Sequence, residues 1–386
     1  MPIHGKTTGW CPMDDEAALS PLLVVKSKWG ELDAILNTET VSPTPIIMVE
    51  LLDRVPVSER AMMMKKLVRV GAELVRAGRS LWVDTTWLSK SSSLAKVPQG
   101  PFECLDERID AETDGELPFQ GIDVPPLVPV VSATVDEREL GRVRLLREHK
   151  PRQIAVRLGK EPRSSGTQLI AHLERIMRLV GISSRDVHLV FDEGYIEGVD
   201  GQRVHNLVST IAAVREYEFA SITVLSGSTP SQRGTFETRF RARPELELWS
   251  AVAQLSRQPL RYGDYGVVHP VPPEGNGRGK PNPYIHYTLP DRSLFVARRI
   301  PNRKPGSVPK GAFEKYFLEV AEELVGRPEF AGEGFSWGDG RLYQCRHDSY
   351  PRVGNSSSWI AIATSHHIAH LSQRHGSESS GVPPAP

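Results

Sequence analysis

Cysteine is scarce in this 386-residue chain: Cys11, Cys104 and Cys345 lie far apart and in no metal-ligand spacing. That excludes a disulfide framework and a cysteine-based zinc site, and reads as reduced thiols in a cytoplasm. Net charge is absent, with 47 Lys+Arg against 47 Asp+Glu. Without a global field the chain has little general grip on nucleic acid or an anionic membrane, so neither is an expected partner. No apolar run approaches the roughly 18 residues that a membrane-crossing helix needs. No glycine-rich turn follows any candidate strand, so the nicotinamide and flavin nucleotide motifs are missing. The His-Glu-x-x-His zinc motif and a complete Gly-x-Ser-x-Gly elbow are missing too.

What the chain does have is a recurring unit: a short apolar run, a polar residue at its end, a loop, and an amphipathic helix. The stretch Asp186–Gly194 shows it best, with Val187–Phe191 followed by Asp192, Glu193 and Gly194. Such runs suit strands buried on both faces. Further strands are predicted at Leu22–Lys26, Ile46–Glu50, Leu81–Asp84, Leu127–Ser132, Ile154–Arg157, Ile222–Ser226 and Leu260–Gly263. Helical spacing lies between them, notably over Ser58–Gly78 with Ser58 as cap, Asp136–His149 capped by Asp136, and Gly166–Gly181 ended by Gly181. Eight such repeats predict a (β/α)₈ barrel over residues 21–270, with a doubly wound open sheet as the rival.

Beyond the barrel, Pro270–Pro283 reads as a Gly/Pro loop. Tyr284–Thr288 and Leu294–Arg298 read as a β-hairpin, Phe313–Val325 as a helix, Phe335–Asp339 as a loop, and Trp359–Gln373 as a last helix. Residues 271–375 are expected to form an appendage packed on the barrel. Residues 1–20 are expected to be a flexible lead-in and 376–386 a disordered tail.

Several segments resemble one known family. Tyr262-Gly263-Asp264-Tyr265-Gly266 with His269-Pro270, the run Ile285–Thr288, Phe335-Ser336-Trp337-Gly338-Asp339, and the run ending in His366-His367 are similar to the beta protein family, named for a bacteriophage protein. The opening stretches LLVVKSKWGELDAI and PIIMVELLD look like that family's first strands. The resemblance implies a prokaryotic or phage origin and a link to mobile elements. It supplies no catalytic residues.

In a barrel, residues just at the C-terminal end of each strand line the face where sites are built. Reading those positions gives Lys26, Glu50, Asp84, Ser132, Arg157, Asp192, Glu193, Ser226 and Asp264. Glu50, Asp84, Asp192 and Asp264 are candidate oxygen ligands for Mg²⁺ or another divalent cation, which would polarise a phosphoryl oxygen or generate hydroxide. Lys26 and Arg157 would hold a phosphate-bearing small molecule, so Lys26, Asp84, Arg157 and Asp192 are the catalytic candidates. Two carboxylates acting on a glycosidic bond are an alternative. So is an ion-pair ring with a structural role only. Ser226, Gly227 and Ser228 offer backbone N–H groups to an anion, or form a plain turn. Trp337, Asp339, His366 and His367 are candidate lid residues, and His366 with His370 a spaced metal pair. Arg233, Arg239, Arg241 and Arg243 read as a solvated basic loop.

Two functional readings follow. One is a metal-dependent hydrolase or lyase acting on a phosphate-bearing small molecule or nucleotide. The other is a non-enzymatic protein that recognises a phage or host protein through the barrel mouth and the appendage.

Overall fold

The computed structural model describes residues 20–38, 44–53, 55–58, 60–113, 124–159, 165–231, 236–273, 282–300, 311–346 and 354–379. Eight parallel strands close into a barrel: β1 (Leu22–Lys26), β2 (Ile46–Glu50), β3 (Leu81–Asp84), β4 (Leu127–Ser132), β5 (Ile154–Leu158), β6 (Val187–Tyr195), β7 (Ser221–Gly227) and β9 (Arg261–Asp264). Closure is made by β1 pairing with β9, Leu22 opposite Gly263, which excludes the open sheet.

Side chains alternate along each strand, so every strand feeds two layers. Leu22, Val24, Met48, Trp82, Val128, Val130, Ala155, Val190 and Leu225 fill the barrel. Leu23, Val25, Val49, Val83, Val156, Leu189 and Val224 face the helices. The apolar runs are continuous because both layers are dry. Low in the barrel the Arg261 guanidinium lies 5.8 Å from the Trp82 ring, and Trp82 meets His188 at 4.7 Å. Burial lowers Arg261 to about 10.

The helices on the outside are α1 (Trp29–Leu36), α2 (Met62–Arg76), α3 (Pro101–Thr113), α4 (Glu137–His149), α5 (Gly166–Val180), α6 (Gly201–Ala213) and α7 (Pro244–Ser256). Asp136 caps α4 by accepting from Glu139 N at 2.8 Å, and Gly181 ends α5 at φ 69°. Ser58 does not cap α2. That helix begins at Met62 after Ala61, and Ser58 Oγ instead accepts from Arg60 N in the preceding turn. β6 also runs past Phe191 to Tyr195, through a register shift in which Gly194 adopts φ 62°.

The region after the barrel is more ordered than the sequence suggests. β10 (Tyr284–Thr288) and β11 (Arg292–Ala297) form the expected hairpin. A third strand, β8 (Arg239–Ala242), joins β11 antiparallel. The segment read as a solvated basic loop is therefore an edge strand, and Arg243 after it is buried. Arg233 lies outside the described residues. Helices α8 (Ala312–Val325), α9 (Trp337–Arg346) and α10 (Ser356–Ser379) follow. Trp337–Asp339, read as loop, is thus the first turn of α9. α10 reaches Ser379, past the start of the expected tail; residues 380–386 and the lead-in to residue 19 are outside the described residues, as are 114–123 and 274–281.

α10 lies against α1, and α9 against α10, at two very close crossings. A Cβ on Gly30 would collide with the Ser357 carbonyl, and one on Gly338 with that of Ile362. Cys104 and Cys345 are buried and not disulfide-linked. Among the described residues no helix is long and apolar enough to cross a membrane.

Candidate functional site at the barrel mouth

The C-terminal end of the barrel is organised by Arg157. It stands at the end of β5 on the inward face, where the interior apolar layer gives way to charge. Its Nη1 donates to Glu50 Oε1 at 2.8 Å and to Asp84 Oδ2. Nε and Nη2 donate to Asp192 Oδ2 at 3.0 and 2.8 Å. Nη2 also donates to the Tyr265 hydroxyl at 2.5 Å. A guanidinium has five N–H donors, and these five contacts use them all.

The acceptors are bound on their other sides as well. Asp84 Oδ1 accepts from Thr86 N at 2.7 Å. Asp192 Oδ1 accepts from Gly194 N at 2.8 Å and from the Tyr265 hydroxyl at 2.7 Å. Glu50 Oε2 is ion-paired with Lys26 Nζ at 3.1 Å, though the two are not aligned for a hydrogen bond. Burial opposes the charge on Arg157, but Tyr265, Asp192, Asp84 and Glu50 outweigh it and hold the guanidinium well above its usual value. Burial, reinforced by Asp192 and Glu50, pushes the Tyr265 phenol well up despite Arg157.

Lys26 is only 1% exposed. Its Nζ lies 5.4 Å from the Tyr265 ring, and its backbone N donates to Glu31 Oε1 at 2.8 Å. Burial raises the Glu31 carboxyl, against the pull of Lys26.

The expected fourth carboxylate does not join this group. Along β9, Tyr262 belongs to the helix-facing layer. Asp264 two residues later shares that face, so it points away from the barrel interior. It accepts from the Tyr262 hydroxyl at 2.7 Å and from Gly266 N at 3.0 Å, pairs with Arg243 at 3.5 Å, and meets His367 Nε2 at 3.0 Å. Burial opposes its charge, yet His367, Arg243 and Tyr262 hold the carboxyl below its ordinary value. Ser226 sits opposite Asp264 and has the same outward parity, since Leu225 before it faces inward. Gly227 is flanked by Tyr265 and Pro270, and Ser228 beyond it is half-buried. Glu193 also points outward, 3.7 Å from Arg203.

The lid candidates lie in the appendage core. His366 Nδ1 meets Asp339 Oδ2 at 2.9 Å, and its Nε2 meets the Thr288 carbonyl at 2.8 Å. Asp339 also accepts from the Tyr287 hydroxyl at 2.7 Å and the Ser336 hydroxyl at 2.6 Å. His367 Nδ1 contacts Thr288 Oγ1 at 2.8 Å. His370 Nε2 lies 3.4 Å from Arg243 Nη1, so His366 and His370 turn to different partners and do not converge as a metal pair. Trp337 lines a separate cavity of about 190 Å³ with Asp33, Asn37 and Arg341. Among the described residues, no three His, Cys, Asp or Glu side chains are grouped to hold a metal ion.

An open cavity of about 650 Å³ lies over the ends of β3–β6. Arg157 and Asp192 form part of its wall. The rest comes from Ser132 at the end of β4, from Thr86, Trp87, Thr134 and Gly159 after the strands, and from Gln168, Ala171 and His172 of α5. Of these, the strand-end reading found only Ser132, Arg157 and Asp192. The positions 168, 171 and 172 share a helix face by spacing, but nothing in their chemistry marks that face as a cavity wall. Tyr265 was missed because it follows the last strand instead of ending it.

No curated protein matches the chain. A solved structure described as PhdJ bound to substrate intermediate aligns over 93% of this chain and 98% of its own, at 10% identity and a TM-score of 0.34. The family model for the beta protein matches residues 20–373. That span takes in the whole barrel, the Arg157 network and the appendage core, and the chain belongs to the beta protein family.

Proposed function

We propose that the protein recognises a small molecule in the cavity over β3–β6, with the strand-end charges serving to hold the mouth in shape. The observation that carries this reading is the closed hydrogen-bond account of Arg157 beside a cavity of ligand size, about 650 Å³. Pockets of roughly 300–1,000 Å³ are typical for small ligands. Lys26 is sealed from solvent and is not part of the cavity wall. The test is a thermal-unfolding screen over divalent metals, nucleotides, sugars and sugar phosphates, run on the wild type and on Ala171→Trp. A ligand for the native cavity raises the midpoint of the wild type by mass action and fails to do so once the indole fills the space. Equal shifts in both proteins, or none in either, would count against the reading. A prokaryotic or phage setting and a cytoplasmic location go with it, supported by the family relation and the two buried free thiols.

One observation favours a second reading, metal-dependent hydrolase or lyase chemistry on a phosphate-bearing compound: Glu50, Asp84 and Asp192 converge from three strands on one point. That point is occupied by the Arg157 guanidinium, so the carboxylates do not fit Mg²⁺ or another divalent ion as they stand. A magnesium-dependent rise in midpoint that disappears in Asp84→Asn would support this alternative.

A further inference from the structure

On the cavity reading just given, we infer that the ligand is an uncharged, hydroxyl-bearing ring compound, a sugar or nucleoside without a phosphate, placed against Trp87. The inference starts from hydrogen-bond capacity. Arg157 has no donor left. Asp192 accepts from Gly194 N and the Tyr265 hydroxyl on one oxygen and twice from Arg157 on the other. A carboxylate has about four lone-pair positions, and these contacts take them. Arg157 and Asp192 therefore satisfy each other, and neither offers an ionic ligand an open partner.

The wider network points the same way. Lys26 and Arg157 carry two positive charges, while Glu50, Asp84 and Asp192 carry three negative ones. These five groups carry one negative charge in excess, which disfavours a phosphate dianion beside them.

The uncharged part of the wall is rich in hydroxyl and amide chemistry from Thr86, Ser132, Thr134 and Gln168. The Ser132 and Thr134 hydroxyls lie 3.1 Å apart, and Ser132 Oγ also accepts from Thr134 N. Each hydroxyl is one donor and two acceptors, so Thr134 keeps capacity beyond that contact. Trp87 supplies a flat apolar surface, on which the weakly polar face of a sugar or base stacks.

The experiment is calorimetric titration of the full chain with two matched pairs: adenosine against adenosine 5′-monophosphate, and glucose against glucose 6-phosphate. The expected result is binding of the unphosphorylated member of one pair, at least tenfold tighter than its phosphate. The pair that responds distinguishes nucleoside from sugar. Trp87→Ala should weaken that binding at least tenfold, and Trp87→Phe should restore most of the stacking part. A phosphate that binds as tightly as its partner, or binding that survives Trp87→Ala, overturns the inference. Binding by neither pair also overturns it, while the Ala171→Trp comparison decides separately whether the cavity takes any ligand.

Discussion

Arg157 and Asp192 lie on adjacent strands, and the guanidinium grips a single oxygen of the carboxylate from two of its nitrogens, Nε at 3.0 Å and Nη2 at 2.8 Å. The other carboxylate oxygen is held by the Tyr265 hydroxyl, which in turn accepts from Arg157. The three groups form a closed ring of hydrogen bonds across the barrel. Removing any one of them strands charge or polarity in a dry place.

Arg157→Ala should therefore be the most damaging change at the mouth. It leaves Glu50, Asp84 and Asp192 mutually repelling with only Lys26 to balance them. Breaking a buried ion pair by deleting one partner costs about 3–5 kcal/mol. Urea unfolding should show that loss. Arg157→Lys should recover little of it, because an ammonium cannot reproduce the planar fork that reaches four side chains.

Tyr265→Phe removes a single oxygen and keeps the ring. It takes a donor from Asp192 and an acceptor from Arg157, so a loss of about 1–3 kcal/mol is expected. A midpoint unchanged from wild type would mean that the ring's packing, and not its hydroxyl, is what matters there.

His286 gives a prediction for acid. Burial, with the nearby charge of His367, lowers it from 6.5 to about 3. Between those values the unfolded chain binds a proton that the native state refuses. Stability then rises with pH and falls on acidification, by about 1.4 kcal/mol per pH unit for this one group. Unfolding free energies measured across pH 4–6 should have a slope reduced by about that amount in His286→Gln. An identical slope in the two proteins would refute the assignment to His286.

Gly30→Ala tests the seam between barrel and appendage. The new methyl group would meet the Ser357 carbonyl of α10, a backbone atom that cannot rotate aside. Overpacking of this kind costs about 1–3 kcal/mol. Its signature should be faster amide exchange in α10 than in the barrel strands, a pattern that hydrogen exchange resolves.

The barrel is legible in the sequence because each strand is a dry apolar run with a polar residue at or near its C-terminal end, a signal repeated eight times. Lys26, Glu50, Asp84, Arg157 and Asp192 follow from it directly. Asp264 and Ser226 are also near strand ends, and they were misplaced by parity: a shift of one residue turns a side chain from the interior to the helix layer. The eighth strand runs Arg261–Asp264 and not Leu260–Gly263, so Asp264 is its last residue and shares the face of Tyr262. The cavity wall was less legible still. Thr86, Trp87 and Thr134 come from loops, and His172 from a helix face with ordinary surface chemistry. Strand β8 was hidden for another reason. Its arginines look solvated in a linear reading, yet its partner Arg292–Ala297 lies some fifty residues further on.

That remote pairing ties the two regions together in time as well as in space. Arg239–Ala242 leaves the ribosome before β9 has closed the barrel, and its partner strand is translated only later. The edge strand β8 thus has no partner until β11 has been made. A gene break near residue 270 would sever a sheet and not a linker, so a barrel segment cut there would carry β8 without its partner strand.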